Sequence, residues 1–261
     1  KIKCAHVVFE DNIAQRRGGG LYVANQLCSK LNRSSSFSNH IKINNTTTSK
    51  LNQLVFSKST SITDKNENRT AKLFGHCSIV ITHSVFKFNT ATFGGCIYFY
   101  NIVKLTVTKL RLENNMAVYG GPGLYVNGSK YIYIINSYIS SNFEVEDNYP
   151  LYGAISMIKS DVILIYRSQV KGNYLTHGSG LYMKLVTNIT FKKSTFVGNT
   201  GFFGAAIYVK NCSAMIIADA IFNNNKVNNY GGSIYCFDIN KIKLVNSQLI
   251  KSTAMYAYGG K

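Results

Sequence analysis

Carboxylates are the first residues to consider for chemistry, because hydrolysis of a glycosidic bond needs two of them on one face of the protein. The 261-residue chain has 11 Asp and Glu residues. Asp161, Asp219 and Asp238 occupy non-equivalent positions of the repeat described below. The acidic stretch 144–147 has no acidic partner at the matching position of another repeat. This pattern favours a non-enzymatic protein and leaves enzymatic activity uncertain.

Histidine and cysteine show no spacing typical of a metal site. The five histidines form neither His-x-His nor His-Glu-x-x-His, and the six cysteines form no Cys-x-x-Cys. We therefore predict no metal and no cofactor. The even number of cysteines suits disulfides, and two pairs are spaced close to one repeat, with isolated buried thiols as the alternative. The disulfide candidates are Cys4, Cys28, Cys77, Cys96, Cys212 and Cys236.

Basic residues dominate the charge. The chain has 29 Lys and Arg residues and a formal net charge of +18. Such an excess favours acidic partners, although codon usage rich in Lys and Asn explains the composition equally well. Cations at equivalent repeat positions predict an anion-binding stripe, with an ordinary solvated face as the alternative. The stripe candidates are Lys87, Lys109, Arg167, Lys171 and Lys193.

A repeated phrase must position all of these residues. It joins an apolar-x-x-Asn half to a Gly-bearing half, as in Phe196-x-x-Asn199 followed by Gly204-x-x-Ile207-Tyr208. From Asn89 onward the phrase recurs at steps of 26, 27, 31, 26, 26 and 27 residues, which is typical of a repeat architecture. The recurring asparagines are Asn12, Asn89, Asn115, Asn142, Asn173, Asn199 and Asn225. The recurring tyrosines are Tyr22, Tyr98, Tyr125, Tyr182, Tyr208 and Tyr235.

The short apolar segments between these Asn and Gly turns predict strands, because they are rich in β-branched residues and show no helical stripe. We predict an all-β fold, a parallel β-helix solenoid with about ten coils of ~26 residues each. In such a solenoid the asparagines stack into a side-chain hydrogen-bond ladder and adopt the left-handed backbone conformation. Period-2 alternation places the recurring tyrosines in one column on the outer surface.

The predicted organisation is a single β-helix domain over residues 1–261 that is part of a longer chain. The phrase is degraded at 24–83, where we expect irregular coils and a polar loop at 60–70. Within that stretch, Leu54-Val55-Phe56 is a candidate remnant of the apolar-x-x-Asn half. The longest step between asparagines contains an acidic insertion, which predicts an outward loop at 143–152.

Asn-x-Ser/Thr sequons indicate N-glycosylation, and three of them follow the Gly-to-Tyr segment at predicted outer turns. Together with the cysteines, they predict a secreted or cell-surface extracellular glycoprotein. The sequence has no unbroken apolar run of 18 residues, so we predict no membrane span. The glycosylation candidates are Asn32, Asn44, Asn45, Asn68, Asn127, Asn188 and Asn211.

The segments Gly-Gly-Cys-Ile (94–97) and Gly-Gly-Ser-Ile (231–234), with the Phe-x-x-Asn series, resemble the GGA[ILV]/FxxN repeats of the polymorphic outer-membrane-protein family. They are also similar to the repeats of extracellular right-handed β-helix proteins with a pectin-lyase-like architecture. The resemblance implies a right-handed solenoid and a role in adhesion or surface display.

The expected function is that of a non-enzymatic structural or adhesive glycoprotein, a rigid rod in an extracellular matrix, coat or surface fibre. Its expected partners are other copies of the chain or other matrix proteins, bound end to end or laterally, together with acidic polysaccharide and N-linked glycans. No nucleic acid is expected to bind. The alternative is a pectin-lyase-like protein that binds or degrades acidic polysaccharide.

Overall fold

The computed structural model describes residues 2–24, 54–56, 78–144 and 152–255. All regular structure in these ranges is β-strand, and every strand pairs in parallel with its equivalent in the neighbouring coil. The described ranges hold no helix suited in length and apolarity to crossing a membrane. The predicted all-β solenoid is therefore confirmed.

Sheet A is the widest of three sheets that wrap around the core. From β9 onward each of its strands has 12 residues. Its members are β1 (Ile2–Ala5), β4 (Leu21–Ala24), β5 (Leu54–Phe56), β6 (Ser78–Thr82), β9 (Ile97–Thr108), β12 (Leu124–Ile135), β15 (Ile155–Tyr166), β17 (Leu181–Lys192), β20 (Ile207–Ala218) and β23 (Ile234–Val245).

Sheets B and C complete each coil with short strands. Sheet B contains β2 (Val8–Glu10), β7 (Val85–Lys87), β10 (Arg111–Glu113), β13 (Tyr138–Ser140), β16 (Gln169–Lys171), β18 (Thr195–Val197), β21 (Ile221–Asn223) and β24 (Gln248–Ile250). Sheet C contains β3 (Ile13–Arg17), β8 (Thr90–Phe93), β11 (Met116–Ala117), β14 (Phe143–Glu144), β19 (Thr200–Phe203), β22 (Lys226–Tyr230) and β25 (Thr253–Ala254). Tyr174 bridges β14 to β19 as a single residue.

The number of coils is smaller than the sequence suggested. Strands β7 to β24 delimit six complete turns, and residues 2–24 add one earlier coil, so the expected ten coils are wrong. Phe9 and Phe86 are 77 residues apart, which is about three periods of the repeat, yet they lie on directly adjacent coils. The intervening stretch therefore adds no rung between them. Eight stacked strands of sheet B span roughly 34 Å at ~4.8 Å per coil.

Two details of the predicted organisation also change. Ser78–Thr82 falls inside the stretch 24–83 but forms the regular strand β6. Leu54–Phe56 pairs with Leu21-Tyr22-Val23 in sheet A, so it matches the Gly-to-Tyr half rather than the apolar-x-x-Asn half. The predicted loop at 143–152 begins with strand β14, and Tyr152 bridges His177. Residues 145–151 and the loop at 60–70 lie outside the described residues.

Each coil turns at four positions where the backbone is left-handed. We name the column between sheets A and B the AB corner: His6, His83, Lys109, Asn136, Arg167, Lys193, Asp219 and Asn246. A second column separates sheets B and C, a Gly column that starts at Gly18 leads back into sheet A, and a fourth bends each long strand of sheet A. The ladder asparagines themselves are not left-handed, contrary to prediction. The residue before each of them is, as at Asn114 before Asn115.

The core consists of like residues stacked on like residues. Phe196 and Phe222 pair in register, and their rings lie parallel with centroids 4.7 Å apart. The same column passes through aliphatic residues in the middle of the rod, including Leu112, Ile139 and Val170, all at most 1% exposed. Because neighbouring coils are ~4.8 Å apart, a flat ring fits face to face on its equivalent.

A ladder of asparagines lies beside this apolar column. The Oδ1 of Asn115 accepts the backbone N–H of Asn89 at 3.1 Å and its side-chain amide at 3.0 Å. The Nδ2 of Asn115 donates in turn to Asn142 Oδ1 and to the carbonyl of Phe86. The pattern runs from Asn12 to Asn225, and the asparagines from Asn89 onward are at most 1% exposed. Every rung thus offers a buried acceptor to the previous rung and a donor to the next.

A second polar row follows the AB corner, and it was not anticipated from the sequence. The Oγ atoms of Ser137, Ser168 and Ser194 each accept the backbone N–H of the corner-following residue one coil earlier, at 3.1–3.2 Å. Each hydroxyl also donates to the carbonyl two residues before it. Serine satisfies the strand-start N–H that the corner leaves without a sheet partner. The sequence does show this row, as a recurring serine two positions before the apolar residue of the apolar-x-x-Asn half.

Asn142→Asp should strongly destabilise the fold. The Nδ2 of Asn142 donates to Asn173 Oδ1 and to the carbonyls of Leu112 and Ser140, each at 3.0 Å, and a carboxylate would face these three acceptors without a donor. We expect a loss of about 3 kcal/mol or more in the free energy of urea unfolding. Asn136→Asp is the matched control, because Asn136 is an exposed corner residue, and it should change the free energy by less than about 0.5 kcal/mol. Equal effects would contradict the ladder's role.

Leu185→Gly should stabilise the fold. Leu185 has φ 57° at the bend of sheet A and is 43% exposed, so its side chain gains little from burial. Glycine removes the strain of the left-handed conformation, and we expect a gain of about 0.5–1 kcal/mol in the same urea titration. Gly128 occupies the same column two coils earlier, with φ 78°, and an added Cβ would make only ordinary van der Waals contacts with Asn101. Gly128→Ala should therefore lose about 1 kcal/mol, and a loss in both variants would refute the strain argument.

Candidate binding face and aromatic columns

The outer face of sheet A carries tyrosines and cations close together. We name this surface the basic tyrosine face and define it by Lys104, Lys130, Tyr131, Tyr133, Tyr166 and Lys192. The rings of Tyr131 and Tyr133 are nearly parallel, with centroids 6.3 Å apart and planes 16° apart. Tyr131 pairs with Val162 and Tyr133 with Leu164 on the next strand, so aliphatic side chains extend the surface. The result is a partly exposed strip of aromatic and aliphatic side chains on the outer face of sheet A.

Cations lie directly against these rings. Lys104 Nζ is 5.0 Å from the ring centroid of Tyr133, and Lys130 Nζ is 5.3 Å from that of Tyr131. Arg167 Cζ lies 5.0 Å from the ring of Tyr166. Such contacts hold long basic side chains over a surface without neutralising their charge. The face can therefore offer stacking surface and positive charge to the same ligand.

The predicted anion-binding stripe is divided between two faces. Lys109, Arg167 and Lys193 are exposed residues of the AB corner, which borders the basic tyrosine face. Asn136 stands between the first two, so Lys109 and Arg167 are two coils apart, about 10 Å. Lys87 and Lys171 lie instead on the outer face of sheet B.

The cations on sheet B are also not equivalent to those at the corner. Lys87 Nζ is 2.7 Å from Glu10 Oε1, and Glu113 occupies the register position on its other side. Glu113 in turn pairs with Arg111 at 2.6 Å. Lys87 therefore belongs to a strip of alternating charge, and the five residues do not form one continuous stripe.

The recurring tyrosines form one column, but that column is largely covered, with two members buried and the other four half-buried. Tyr98 and Tyr125 stack with centroids 5.1 Å apart, and Tyr182 and Tyr208 with centroids 5.2 Å apart. Tyr98 and Tyr182 are each only 4% exposed. Burial raises the pKa of Tyr98 to about 12, against the opposing effect of the Arg17 charge. The expected outer column is corrected to a covered one.

A second aromatic row covers the tyrosines, and the sequence analysis did not find it. We name it the edge row: Phe93, Tyr119, Tyr152, His177, Phe203 and Tyr230. Five of its six members immediately precede the left-handed Gly of their coil, and Tyr119 stands one residue further away. Phe203 contacts both Tyr230 in its own row and Tyr235 in the tyrosine column, with centroids 5.8 and 5.6 Å apart. The sequence feature that could have revealed the edge row is an aromatic residue directly before the Gly turn, one position before the Gly-bearing half of the repeat begins.

One coil lacks a tyrosine in the column, and the edge row fills the gap. Ser156 occupies the register position between Tyr125 and Tyr182. Tyr152 from the edge row moves into this space, with its ring centroid 4.4 Å from that of Tyr182. The Ser156 hydroxyl donates to the Tyr152 carbonyl. The two rows therefore act as one packed layer.

His177 is the exceptional member of the edge row. Its ring stacks on Phe203 at 4.9 Å and contacts Tyr152 and Tyr208, each with centroids 5.4 Å away. Its Nδ1 is the one buried side-chain polar atom without a hydrogen-bond partner among the described residues. Burial lowers the pKa of His177. The imidazole thus serves as a neutral aromatic ring in this layer.

The described cysteines are free thiols, which corrects the predicted disulfides. Cys212 pairs in register with Ile239, and Cys236 pairs with Val209. The two cysteines are thus three residues out of register, about 10 Å along extended strands, whereas a disulfide needs Cα atoms within about 7 Å. Cys4 and Cys96 are also free and buried. Cys28 and Cys77 lie outside the described residues.

The three described sequons occupy different environments. Asn188 lies on the exposed outer face of β17 rather than at the predicted outer turn. Asn127 is half-buried and precedes the bend at Gly128. Asn211 is itself a bend residue, and its Nδ2 donates to Asp238 Oδ2 at 2.8 Å. Asn32, Asn44, Asn45 and Asn68 lie outside the described residues.

No group of three His, Cys, Asp or Glu side chains that could hold a metal occurs within residues 2–24, 54–56, 78–144 and 152–255. Asp161 lies on β15, Asp219 at the AB corner and Asp238 at the sheet A bend, so the structure does not bring these three together. Glu144 ends β14, and the rest of the acidic stretch 144–147 lies outside the described residues.

Parallel coils with one buried ladder and stacked core columns define a β-solenoid. A family model described as "Right handed beta helix region" matches residues 73–249, and the chain belongs to this family. A relative is the metabotropic glutamate receptor-like protein R of Dictyostelium discoideum, 29% identical over 142 residues. That alignment covers 54% of this chain and 8% of the relative, so the chain spans a small part of its length. No solved structure matches the chain.

His177→Phe should reduce the acid sensitivity of the fold. Because burial lowers the His177 pKa in the folded state, the unfolded chain binds this proton more readily. Stability is therefore fully present above the unfolded histidine pKa of about 6.5 and falls as the pH drops below it. We expect the urea midpoint to fall less between about pH 7 and pH 5 in the variant. His6→Asn, at the exposed AB corner, is the control, and an unchanged pH profile for His177→Phe would contradict the assignment.

Proposed function

We propose that this chain is a non-enzymatic, extracellular adhesive segment, a rigid β-helix rod that presents a basic face to acidic polysaccharide. The observation that carries the proposal is the basic tyrosine face beside the exposed cations of the AB corner. Sugars stack on flat aromatic surfaces through their apolar faces, and carboxylate or sulfate groups pair with Lys and Arg. A periodic polymer suits a surface whose cations stand at whole multiples of the coil spacing.

Rigidity supports the adhesive role. The cations stand on a backbone that the asparagine ladder and the serine row hold at each coil, so their spacing is fixed before a ligand arrives. Preorganisation of this kind lowers the entropy that binding must overcome. A flexible basic chain would bind the same polymer without a defined register.

A surface location is consistent with the relative, which is named as a receptor-like protein. The exposed Asn188 on sheet A offers a position where an N-linked glycan can extend into solvent. Both observations favour a secreted or cell-surface protein.

Retention on a heparin column tests the proposal. Lys109, Arg167 and Lys193 should be replaced together by Gly, which the left-handed corner accepts without strain. If each exposed ion pair contributes about 0.5 kcal/mol, the triple variant should bind a sulfated oligosaccharide roughly tenfold more weakly and elute at lower salt.

The matched control replaces Lys87 and Lys171 on sheet B by Ala. These residues lie on another face, and Lys87 is already paired with Glu10, so retention should change only slightly. Tyr133→Ala adds a test of the stacking surface and should weaken binding without changing net charge. Equal losses of retention in the corner and sheet B variants would mean that net charge alone drives the interaction. Unchanged retention of the corner variant would rule out this face as the binding site.

A further inference from the structure

The AB corner continues beyond Lys109 with two histidines. His6, His83 and Lys109 occupy the corner on three successive coils, and the backbone N–H of each donates to a carbonyl of the next coil at 3.0–3.1 Å. The imidazole rings of His6 and His83 stack, with centroids 4.9 Å apart and planes 17° apart. All three side chains are exposed. The corner therefore presents three basic side chains in a row, one per coil at ~4.8 Å.

No carboxylate of the described residues pairs with these two histidines. On the sheet A side the histidines follow Ala5 and Thr82, and on the sheet B side the next outward residues are Val8 and Val85. The charged residues of the strands that meet here (β1, β2, β6, β7, β9 and β10) are Lys3, Glu10, Lys87, Lys104, Arg111 and Glu113. Each of the two glutamates is already paired with a cation of its own sheet. A positive charge gained by either histidine therefore stays available to an external anion.

The charge of this row depends on pH, because histidine changes its charge between about pH 8 and pH 5. At about pH 8 the cations of the AB corner are Lys109, Arg167 and Lys193, and protonation at lower pH adds His6 and His83. Desolvation and the positive charges of Lys109 and His6 lower the pKa of His83. Protonation of the free protein thus adds to a stack of like charges, and a bound polyanion would relieve the repulsion. Anion binding and proton uptake at His83 therefore favour each other.

We propose that His6 and His83 form a pH-dependent extension of the cation column at the AB corner, so that the rod binds acidic polysaccharide more tightly under mildly acidic conditions. This inference rests on the proposed function, because it assigns a regulation to the same corner. A polymer that follows the corner from Lys193 to Lys109 meets His83 and His6 on the next two coils. The full column from Lys193 to His6 covers five coil steps, about 24 Å.

Affinity for a sulfated oligosaccharide, measured at about pH 8 and about pH 5.5, tests the proposal. Sulfate groups keep their charge over this range, so a change in affinity reports on the protein. At equal ionic strength, we expect the full 261-residue chain to bind roughly fivefold more tightly at the lower pH, because two further exposed ion pairs form. Far-ultraviolet circular dichroism at both pH values confirms that the chain is folded.

Three variants assign the effect to the corner. His6→Asn with His83→Asn should bring the two affinities within about twofold of each other, and the left-handed corner already holds Asn136 and Asn246. His6→Lys with His83→Lys should bind tightly at both pH values, because its charge is permanent. His177→Phe is the matched control, since it removes a histidine away from the corner and should keep the full pH dependence.

The imidazole signal of His83 in an NMR titration gives a second readout that does not depend on affinity. Saturation with the oligosaccharide should raise the pKa of His83, because a nearby negative charge favours the protonated form. Lys109→Gly should raise the pKa of His83 in the free protein, since the Lys109 charge is one of the causes that lower it.

Equal affinities of the unaltered chain at the two pH values, a pH dependence that survives the double asparagine variant, or an unchanged His83 pKa on saturation would each overturn this inference. The proposed function would still stand if the triple variant of Lys109, Arg167 and Lys193 loses affinity at about pH 8. Absence of binding at both pH values would overturn the proposed function and this inference together.

Discussion

The whole structure depends on one constraint, that each residue must pack against its own equivalent at the spacing of a parallel sheet, ~4.8 Å. Few side chains tolerate a neighbour of the same kind so close. Asparagine does because it has both a donor and an acceptor, flat aromatic rings do because they stack, and aliphatic chains do because they have no polar atoms. The columns of this protein consist mainly of these residue types.

This constraint also explains why buried polar rows are tolerated. The asparagines from Asn89 to Asn225 and the serines from Ser137 to Ser194 are almost fully buried, yet each meets a partner on an adjacent coil. A buried amide without a partner costs about 1–3 kcal/mol, so a ladder is stable only while it is continuous. Its direction is fixed as well, because every Oδ1 accepts from the previous coil.

Charged side chains also stack on their equivalents in neighbouring coils, but for them this stacking is unfavourable. Stacked cations repel, and some are separated by Asn136 at the AB corner or alternate with glutamate on sheet B, whereas Lys184 and Lys210 pair directly in register. At the basic tyrosine face the cations rest on aromatic rings instead of on each other. An acidic polymer bound to this surface would relieve the remaining repulsion between the stacked cations.

The period of the asparagines and glycines was enough to predict the parallel solenoid and its inward columns. Positions that are buried in every coil recur at a fixed spacing, and a single sequence displays that spacing. Phe196 above Phe222 followed directly from that period. The sequence could not show how coils meet across residues 25–77, since stacking Phe9 on Phe86 is a long-range contact. Nor could it show that an aromatic residue before the Gly turn covers the tyrosines, or that a three-residue offset separates Cys212 from Cys236. Those outcomes depend on which atoms stand above each other in three dimensions, and only the tertiary structure decides that.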